Sequence, residues 1–483
     1  MASDTAPDLT EAAARYEAAL PAGTLLSFPV TKLDKTGVPS WSVTLVPGTP
    51  SGGHGYGWSE AQARVSALGE LHERLQSQRV VPTLPTQRAS YHELLETYGE
   101  RAVTDPLTLS LPAGSPYTPD TPRLWVTMHR FGTDEKVWVP LEAAASSPAE
   151  LPVGYDPLYL SVSNGLGAGF RLEQALSHAV FELLQRDGNS VNYRALDQGV
   201  GLDLTGAELP ERVTSLFGRF AELGVVVQVK LASTDFGLNN VYVVGAQPSG
   251  ETPGIMAAGA GEACHPDKYV ALEKALLEFA AARTRLAFNH GPLERVREVA
   301  PPGYLGTYKE AFGRIDEEAR ALAAMRAWVE LEPQTLRNKL AGVYDVRTQV
   351  LWDALPHTQP LDALTDAAAR LAGFDLLYLE LSSPEAQAQG MTAVKAVVPG
   401  LEVETVSYAR LGARNLTRLL GRDSPLVGLG KPSAEAAPIR LIAEAEAAFG
   451  APAWLDLAAL ERLADPLYPL YREPSRHAVR WAV

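Results

Sequence analysis

A repeat constrains this chain more than any other feature. Gly55-Tyr56-Gly57 is followed, thirteen residues after Gly57, by Glu70, then Glu73 and Arg74. Gly167-Ala168-Gly169 is followed, thirteen residues after Gly169, by Glu182, then Gln185 and Arg186. The two copies share Gly-x12-Glu-x2-(Glu/Gln)-Arg. A looser third copy has Gly259-Ala260-Gly261, then Glu278 seventeen residues on, with Ala281 and Arg283 beyond. Copies roughly 90–110 residues apart are too distant for a solenoid. They predict a multiplied unit of strand, glycine-rich loop and helix. The loops are SGGHGYG (51–57), 165–169 and 259–261, and the first helix runs from Ser59 to about Arg79.

Helical periodicity sorts the residues after each loop. In the first helix Ala61, Val65, Leu68, Leu71 and Leu75 share one side, with His72 near Ala61 and Val65. Ser66, Glu70, Glu73 and Ser77 share the other, with Arg74 at its edge. In the second, Gln174, His178, Glu182, Gln185 and Arg186 form the polar stripe opposite Leu172, Leu176, Ala179 and Leu183. In the third, Glu278 stands among Leu277, Phe279, Ala280 and Ala281, where a carboxylate needs a partner. One Glu on a polar helix face is ordinarily just solvated. Three, each led by a Gly-x-Gly loop, point to a shared task. Glycine loops and helix N-termini offer N–H groups to phosphate. Paired carboxylates hold Mg²⁺, and arginines clamp phosphate oxygens. The pattern predicts a nucleotide site. It is neither GxxxxGK[ST] nor GxGxxG.

The rest of the chain bounds the alternatives. Its 483 residues allow two to four domains or one large fold with internal repetition. A net charge of −15 argues against a nucleic-acid or anionic-membrane binder. The single cysteine, Cys264, fits a reducing cytoplasm. No apolar run is long enough for a membrane span, and the acidic, alanine-rich N-terminus is no secretory signal.

Residues 1–24 read as a mobile lead-in, with room for one short helix. LLSFPVTKLD and SWSVTLVPG read as strands around the turn Lys35-Thr36-Gly37. Residues 100–123 read as a surface loop. RLWVTMHRFG with EKVWVPLEA, and LGVVVQVKLAST with NNVYVVGAQP, read as strand pairs. Residues 308–341 read as helical, and 361–400 as helix, strand, strand. After 430 the expectation is one helix, IRLIAEAEAAFG, and a tail in which PLYPLYREP is loop. The fold class is α+β (mixed α/β): a lead-in, a domain over 25–430, and a helix with tail over 431–483.

These residues resemble the YcaO family. SALGELHER fits that family's Sx3ExxER pattern at Ser66, Glu70, Glu73 and Arg74. SNGLGAGFRLEQALSHAVFELLQRD is similar to its second block, and GAGEACHPDKYVALEKALLEFAAAR to its third. VTKLDKTGVPSW and AVVPGLE resemble further landmarks, so the likeness runs over about 25–430. The resemblance implies ATP-dependent activation of a peptide backbone amide by O-phosphorylation, giving azolines or thioamides in a peptide or protein substrate. It implies ATP bound through Ser66, Glu70, Glu73, Arg74, Glu182, Gln185, Arg186, Glu278 and Arg283. Mg²⁺ would be held by Glu70, Glu73, Gln174 and Glu182. It also implies a homodimer and a partner protein for leader-peptide binding or sulfur delivery. No membrane or nucleic acid is expected, and no residue is assigned as general base.

The chain departs from the family pattern at several places. Phe170 replaces an Asn, Gln174 and Gln185 replace Glu, Ala281 replaces a Gln, and Tyr56 replaces a Lys. An amide oxygen is a weaker ligand than a carboxylate for a hard cation. The ending HAVRWAV lacks the proline-rich tail frequent in azoline-forming members. A non-catalytic YcaO-like peptide-binding or complex-forming subunit is therefore the alternative, and a nucleotide-free carboxylate hydrolase a third reading. Adjacent Cys264 and His265 are unsuited to act as nucleophile and base. His72 reads as a core or boundary histidine and His178 as structural, placed to tune a carboxylate. Trp454, Tyr468, Tyr471 and Trp481 read as packing anchors.

Overall fold

The computed structural model describes residues 8–46, 51–247, 253–360, 362–432 and 435–481. The strands, in chain order, are β1 (Thr24–Pro29), β2 (Ser40–Val46), β3 (Ser51–Tyr56), β4 (Gln87–Ala89), β5 (Arg123–Arg130), β6 (Lys136–Pro140), β7 (Leu166–Gly169), β8 (Val200–Asp203), β9 (Val226–Ser233), β10 (Asn239–Ala246), β11 (Ala260–His265), β12 (Thr348–Leu351), β13 (Leu377–Glu380), β14 (Thr392–Val397), β15 (Val427–Leu429), β16 (Ala436–Pro438) and β17 (Ala453–Asp456). The helices that matter most are α1 (Leu9–Ala18), α2 (Glu60–Val80), α3 (Leu172–Asn189) and α4 (Lys268–His290). This is the expected mixture of helix and strand.

The described residues cluster into two units, each built from separate stretches of chain. The first comprises 1–72, 192–359 and 466–483, and the second 73–191 and 360–465. The first contains the antiparallel sheet β1-β2-β3 and the sheet β11-β10-β9-β8-β12, in which only β8 and β12 run parallel. α4 packs on β10 and β11, and its Leu272, Leu276 and Phe279 join Phe220, Val241 and Val243 in one core. The second contains the antiparallel sheet β4-β5-β13-β14-β7, with β6 on β5, and the small sheet β15-β17-β16. α3 lies on β7 and β14. Both expected strand pairs form, β5 with β6 and β9 with β10.

The glycine-rich segments are strands, which corrects the expected loops. Ser51–Tyr56, Leu166–Gly169 and Ala260–His265 are paired β-structure. Their glycines let a helix lie directly on the strand. A Cβ on Gly55 would stand 2.0 Å from the Ala63 carbonyl oxygen, one on Gly167 2.1 Å from that of Ala175, and one on Gly261 2.1 Å from that of Ala275. No larger residue fits these positions, because the obstacle is helix backbone.

α1 is the short helix for which the lead-in has room: Asp8 caps it by accepting the Thr10 and Glu11 N–H groups, each at 2.8 Å, and it buries Ala12, Ala13 and Tyr16. Other local readings change. The segment 100–123 is anchored by Leu109, Leu111 and Tyr117, which are core residues. The tail contains helical turns at Asp465–Leu467 and Tyr468–Tyr471 rather than plain loop, and a further helix, Leu457–Ala464, precedes it. A short helix, Pro384–Ala388, is inserted between β13 and β14. Residues 1–7, Pro47, Gly48, Pro248, Leu361, Ala482 and Val483, which belong to segments read above, lie outside the described residues.

Candidate functional site

The three repeated glutamates share one local job. Glu70 Oε2 accepts the His54 N–H at 2.7 Å, and Glu278 Oε2 accepts the Glu262 N–H at 3.2 Å, each sixteen residues back along the chain. Glu182 Oε2 accepts the Gly165 N–H at 3.1 Å, seventeen residues back. Each helix therefore docks by small glycines and a carboxylate that takes a backbone N–H of the strand or, for Glu182, of the residue just before it. The third copy is not looser than the first. Gly261, Glu262, Ala275 and Glu278 match Gly53, His54, Ala67 and Glu70 at one constant offset, and the Cβ obstructions at Gly53 and Gly261 fall on the equivalent Ala67 and Ala275 carbonyls. The apparent irregularity arose from aligning Gly261 with Gly57 rather than with Gly53.

In the first unit, Glu70, Glu262 and Glu278 surround the Tyr56 phenol, whose hydroxyl donates to Glu278 Oε2 at 3.5 Å. Burial first, and then Glu278, Glu262 and Glu70, push the Tyr56 pKa well above its ordinary value. The phenol therefore stays protonated, a neutral donor among the acids. The guanidinium of Arg285, which the sequence reading missed, is drawn to this acid group. It grips Glu473 of the tail at 2.6 and 2.7 Å. Burial works against the Arg285 charge, but Glu473, then Glu70 and Glu278, outweigh it and hold its pKa above the usual range. Glu473 also accepts from Asn289 at 3.3 Å and meets His290 Nε2 at 2.8 Å. Burial alone would raise its carboxyl; Arg285 and His290 instead hold it well below the ordinary carboxylate range. Three residues on, Arg476 meets His54 Nε2 at 3.0 Å. The tail thus places charge beside the strand that carries His54.

Arg283 is placed otherwise than as a phosphate clamp. It is buried with Asp34, its Nε and Nη2 donating at 2.9 and 3.2 Å, and both side chains are 1 % exposed. The pair ties α4 to the turn after Leu33. His72 is fully buried, edge-on to Tyr16 at 5.4 Å, as a core histidine should be. Cys264 is buried on β11, and the His265 ring accepts the Asp267 N–H at 3.0 Å. Of the tail aromatics, Trp481 packs on Tyr308 and Phe312, and Tyr471 accepts the Ala195 N–H at 3.1 Å.

α2 passes from the first unit into the second after His72. Ser66 and Arg74 are exposed and Glu73 half-buried. Ser77 is buried, donating to Glu150 at 2.8 Å, so it leaves the polar stripe. Within the second unit the exposed His178 lies 3.9 Å from Glu73 Oε1, and Arg186 3.6 Å from Glu182 Oε1. Gln185 is half-buried beside them on α3. Gln174 Oε1 accepts the Phe170 N–H at 3.1 Å, as Gln62 Oε1 accepts that of Trp58 at 2.8 Å. Gln174 thus matches Gln62 at the start of its helix, with one lone pair of its amide oxygen engaged. Asp187, also missed, is buried under Arg414 and Arg418, which overcome the effect of burial and lower its pKa.

The donor chemistry suits a hard divalent cation: a carboxylate stands at each of the three short helix–strand contacts. Among the described residues, no group of three His, Cys, Asp or Glu side chains has the geometry to hold a metal ion. Nor is any helix among them long and apolar enough to cross a membrane.

Comparison with known proteins agrees with this arrangement. An uncharacterized protein of Methanothermobacter thermautotrophicus is 27 % identical over 389 residues, covering 80 % of this chain and 91 % of that one. An uncharacterized protein of Mycobacterium tuberculosis is 26 % identical over 413 residues, covering 84 % of each. Among solved structures, a heterocyclase in complex with substrate and cofactor superposes with a TM-score of 0.63 at 17 % identity, over 87 % of this chain. This chain spans 56 % of that heterocyclase's length. The YcaO protein of Methanopyrus kandleri, bound with AMPPCP and Mg²⁺, superposes with a TM-score of 0.51 at 20 % identity, over 79 % of this chain and 86 % of that one. These structural likenesses establish the fold. The family model for YcaO cyclodehydratase, ATP- and Mg²⁺-binding, matches residues 54–402, and the chain belongs to that family.

Proposed function

We propose that this protein uses ATP and Mg²⁺ to activate a backbone amide of a peptide or protein substrate. A substrate side chain or an external sulfur nucleophile adds to the amide carbonyl carbon. The amide oxygen accepts the γ-phosphoryl group of ATP, releasing ADP, and then departs as phosphate, leaving an azoline or a thioamide. Bound Mg²⁺ would supply charge neutralisation at the phosphates. The observation that carries the reading is the repeated carboxylate on a glycine-packed helix, in a chain whose family is described as ATP- and Mg²⁺-binding.

Glu70, Glu73 and Glu182 are proposed to hold Mg²⁺, with Glu278 as a further metal or substrate group. Ser66, Arg74, Gln185 and Arg186 are proposed to meet the nucleotide. Arg283 is left out because Asp34 engages it in a buried pair, and Gln174 is proposed as a weaker amide donor to the metal. Arg285 is proposed in place of Arg283, because the charges of Glu70 and Glu278 act on it. We further propose a cytoplasmic homodimer served by a partner that presents the peptide or delivers sulfur.

Calorimetry of the full chain with ATP, with and without Mg²⁺, tests this. Magnesium-dependent binding that is lost in Glu73→Gln and Glu182→Gln is expected. Failure to bind ATP at millimolar concentration would leave the second reading, a peptide-binding subunit without turnover. That reading draws on Gln185, an amide where the first copy has Glu73.

A further inference from the structure

The apolar core that β10 and α4 share with the helix Ala319–Val329 contains a hollow. A cavity of about 90 Å³ lies among Val244, Ile255, Leu286, Met325, Trp328 and Val343, all buried members of one apolar cluster in the first unit. Protein interiors ordinarily leave few voids larger than a water molecule. An ordered water needs roughly two to four polar partners, and these walls are apolar side chains. A space of that character takes an apolar guest.

The charged residues that line it, Arg194, Arg285 and Glu473, are among its more exposed ones and form its rim. Arg285 and Glu473 are paired with each other, and Arg194 donates to the Leu470 carbonyl. The rim borders the acids already described. The charges of Glu70 and Glu278 act on Arg285. Tyr193, which also lines the cavity, has its pKa raised chiefly by burial; Arg194 opposes the rise, and Glu262 and Glu278 add to it. The rim also offers backbone. β11 is the edge strand of its sheet, and Ala260 lines the cavity. Successive residues of a strand turn their N–H groups to opposite edges. Glu262 turns its own outward, to Glu278, so Ala260, two residues earlier, faces the same open edge.

We propose that this cavity receives one leucine- or phenylalanine-sized side chain of the peptide substrate, whose backbone lies across the rim at Ala260 and Arg285. Size selects the guest. One atom-sized site needs roughly 10–15 Å³ of such space, so about 90 Å³ admits some six to nine non-hydrogen atoms. A leucine or phenylalanine side chain fits, and the tryptophan bicycle does not. A backbone added at the edge of β11 gains main-chain hydrogen bonds while the pocket reads the side chain. The inference rests on the proposed peptide substrate but not on ATP turnover, and it holds equally for a subunit that binds peptide without chemistry.

The test titrates the full chain, without nucleotide, with the capped tripeptides Gly-Phe-Gly, Gly-Leu-Gly, Gly-Gly-Gly and Gly-Glu-Gly at millimolar concentration. The Phe and Leu peptides are expected to bind at least about ten-fold more tightly than the other two, the effect of burying one such side chain. Ala258→Phe, which fills the cavity from a partly exposed wall, is expected to abolish that preference. A second measurement leaves the cavity unaltered: in protein labelled at the methionine methyls, the Met325 resonance should move with the Phe peptide, while Met128 and Met391 of the second unit stay in place. The inference is overturned by equal affinity for the Phe and Gly peptides, by an unchanged preference in a folded Ala258→Phe, by an unmoved Met325 resonance, or by a Met325 shift with toluene but with no peptide. Magnesium-dependent ATP binding, read on the same samples, separates the two readings. Its absence beside a Phe preference sinks the amide activation alone, and its presence without that preference sinks this inference alone.

Discussion

Replacing Gly55 by alanine asks whether the repeated glycines are packing surfaces or a phosphate cradle. The new methyl group would lie 2.0 Å from the Ala63 carbonyl oxygen, 2.2 Å from the Ala67 nitrogen and 2.9 Å from the Ala67 Cα. Ordinary contact needs about 3.5 Å, so α2 must retreat from β3 by more than ~1 Å. That retreat stretches the 2.7 Å bond from the His54 N–H to Glu70. Overpacking costs about 1–3 kcal/mol, and weakening a hydrogen bond to a charged group adds about 1.5 kcal/mol or more. We expect a loss of ~3 kcal/mol in the first unit. At about 2–4 °C per kcal/mol for a unit of this size, its melting transition should fall by roughly 6–12 °C. Gly218→Ala is the control: it is exposed, with nothing within 4 Å of the added methyl, and should gain about 0.5–1 kcal/mol. Scanning calorimetry reads the transition, and calorimetric titration reads magnesium-dependent ATP binding. A Gly55→Ala protein that melts like wild type but loses ATP would refute the packing argument and restore the phosphate cradle.

Two further outcomes follow from the ion pairs. Asp34→Asn and Arg283→Met should each cost about 3–5 kcal/mol in urea unfolding, because each leaves one buried charge unpaired. The double variant should cost less than the sum of the two, and additive losses would contradict the pairing. Glu473 has a folded pKa depressed below its unfolded value, so its contribution is complete at neutral pH and is lost as pH falls from about 4.5 through the depressed value. Glu473→Gln should therefore be less stable than wild type at neutral pH, with the gap closing in strong acid. A gap that is constant down to the lowest pH would mean that Arg285 and His290 do not hold the carboxyl as described.

The sequence alone determined the helices, the hairpins and the acids on which the site is built. Periodicity in α2 and α3 placed Glu70, Glu73, Glu182 and Arg186 on polar faces because helical geometry acts over neighbouring turns. The isolation of Glu278 among apolar residues announced a partner, and the His72 ring was legible as core for the same local reason.

Only the tertiary structure decided what those residues touch. Strand and loop are both compatible with Gly-x-Gly; the approach of a helix, visible at Gly55, Gly167 and Gly261, settles the choice. Alignment by nearest glycine missed that Gly261 answers Gly53. Asp34 meets Arg283 across 249 residues of chain, and Arg285 meets Glu473 across 188. No local pattern marks such pairs, because their energy depends on burial and on the fold that brings them together. Sequence periodicity records where a side chain points on its own element, whereas the partner that gives a carboxylate or a guanidinium its role is fixed by packing between elements.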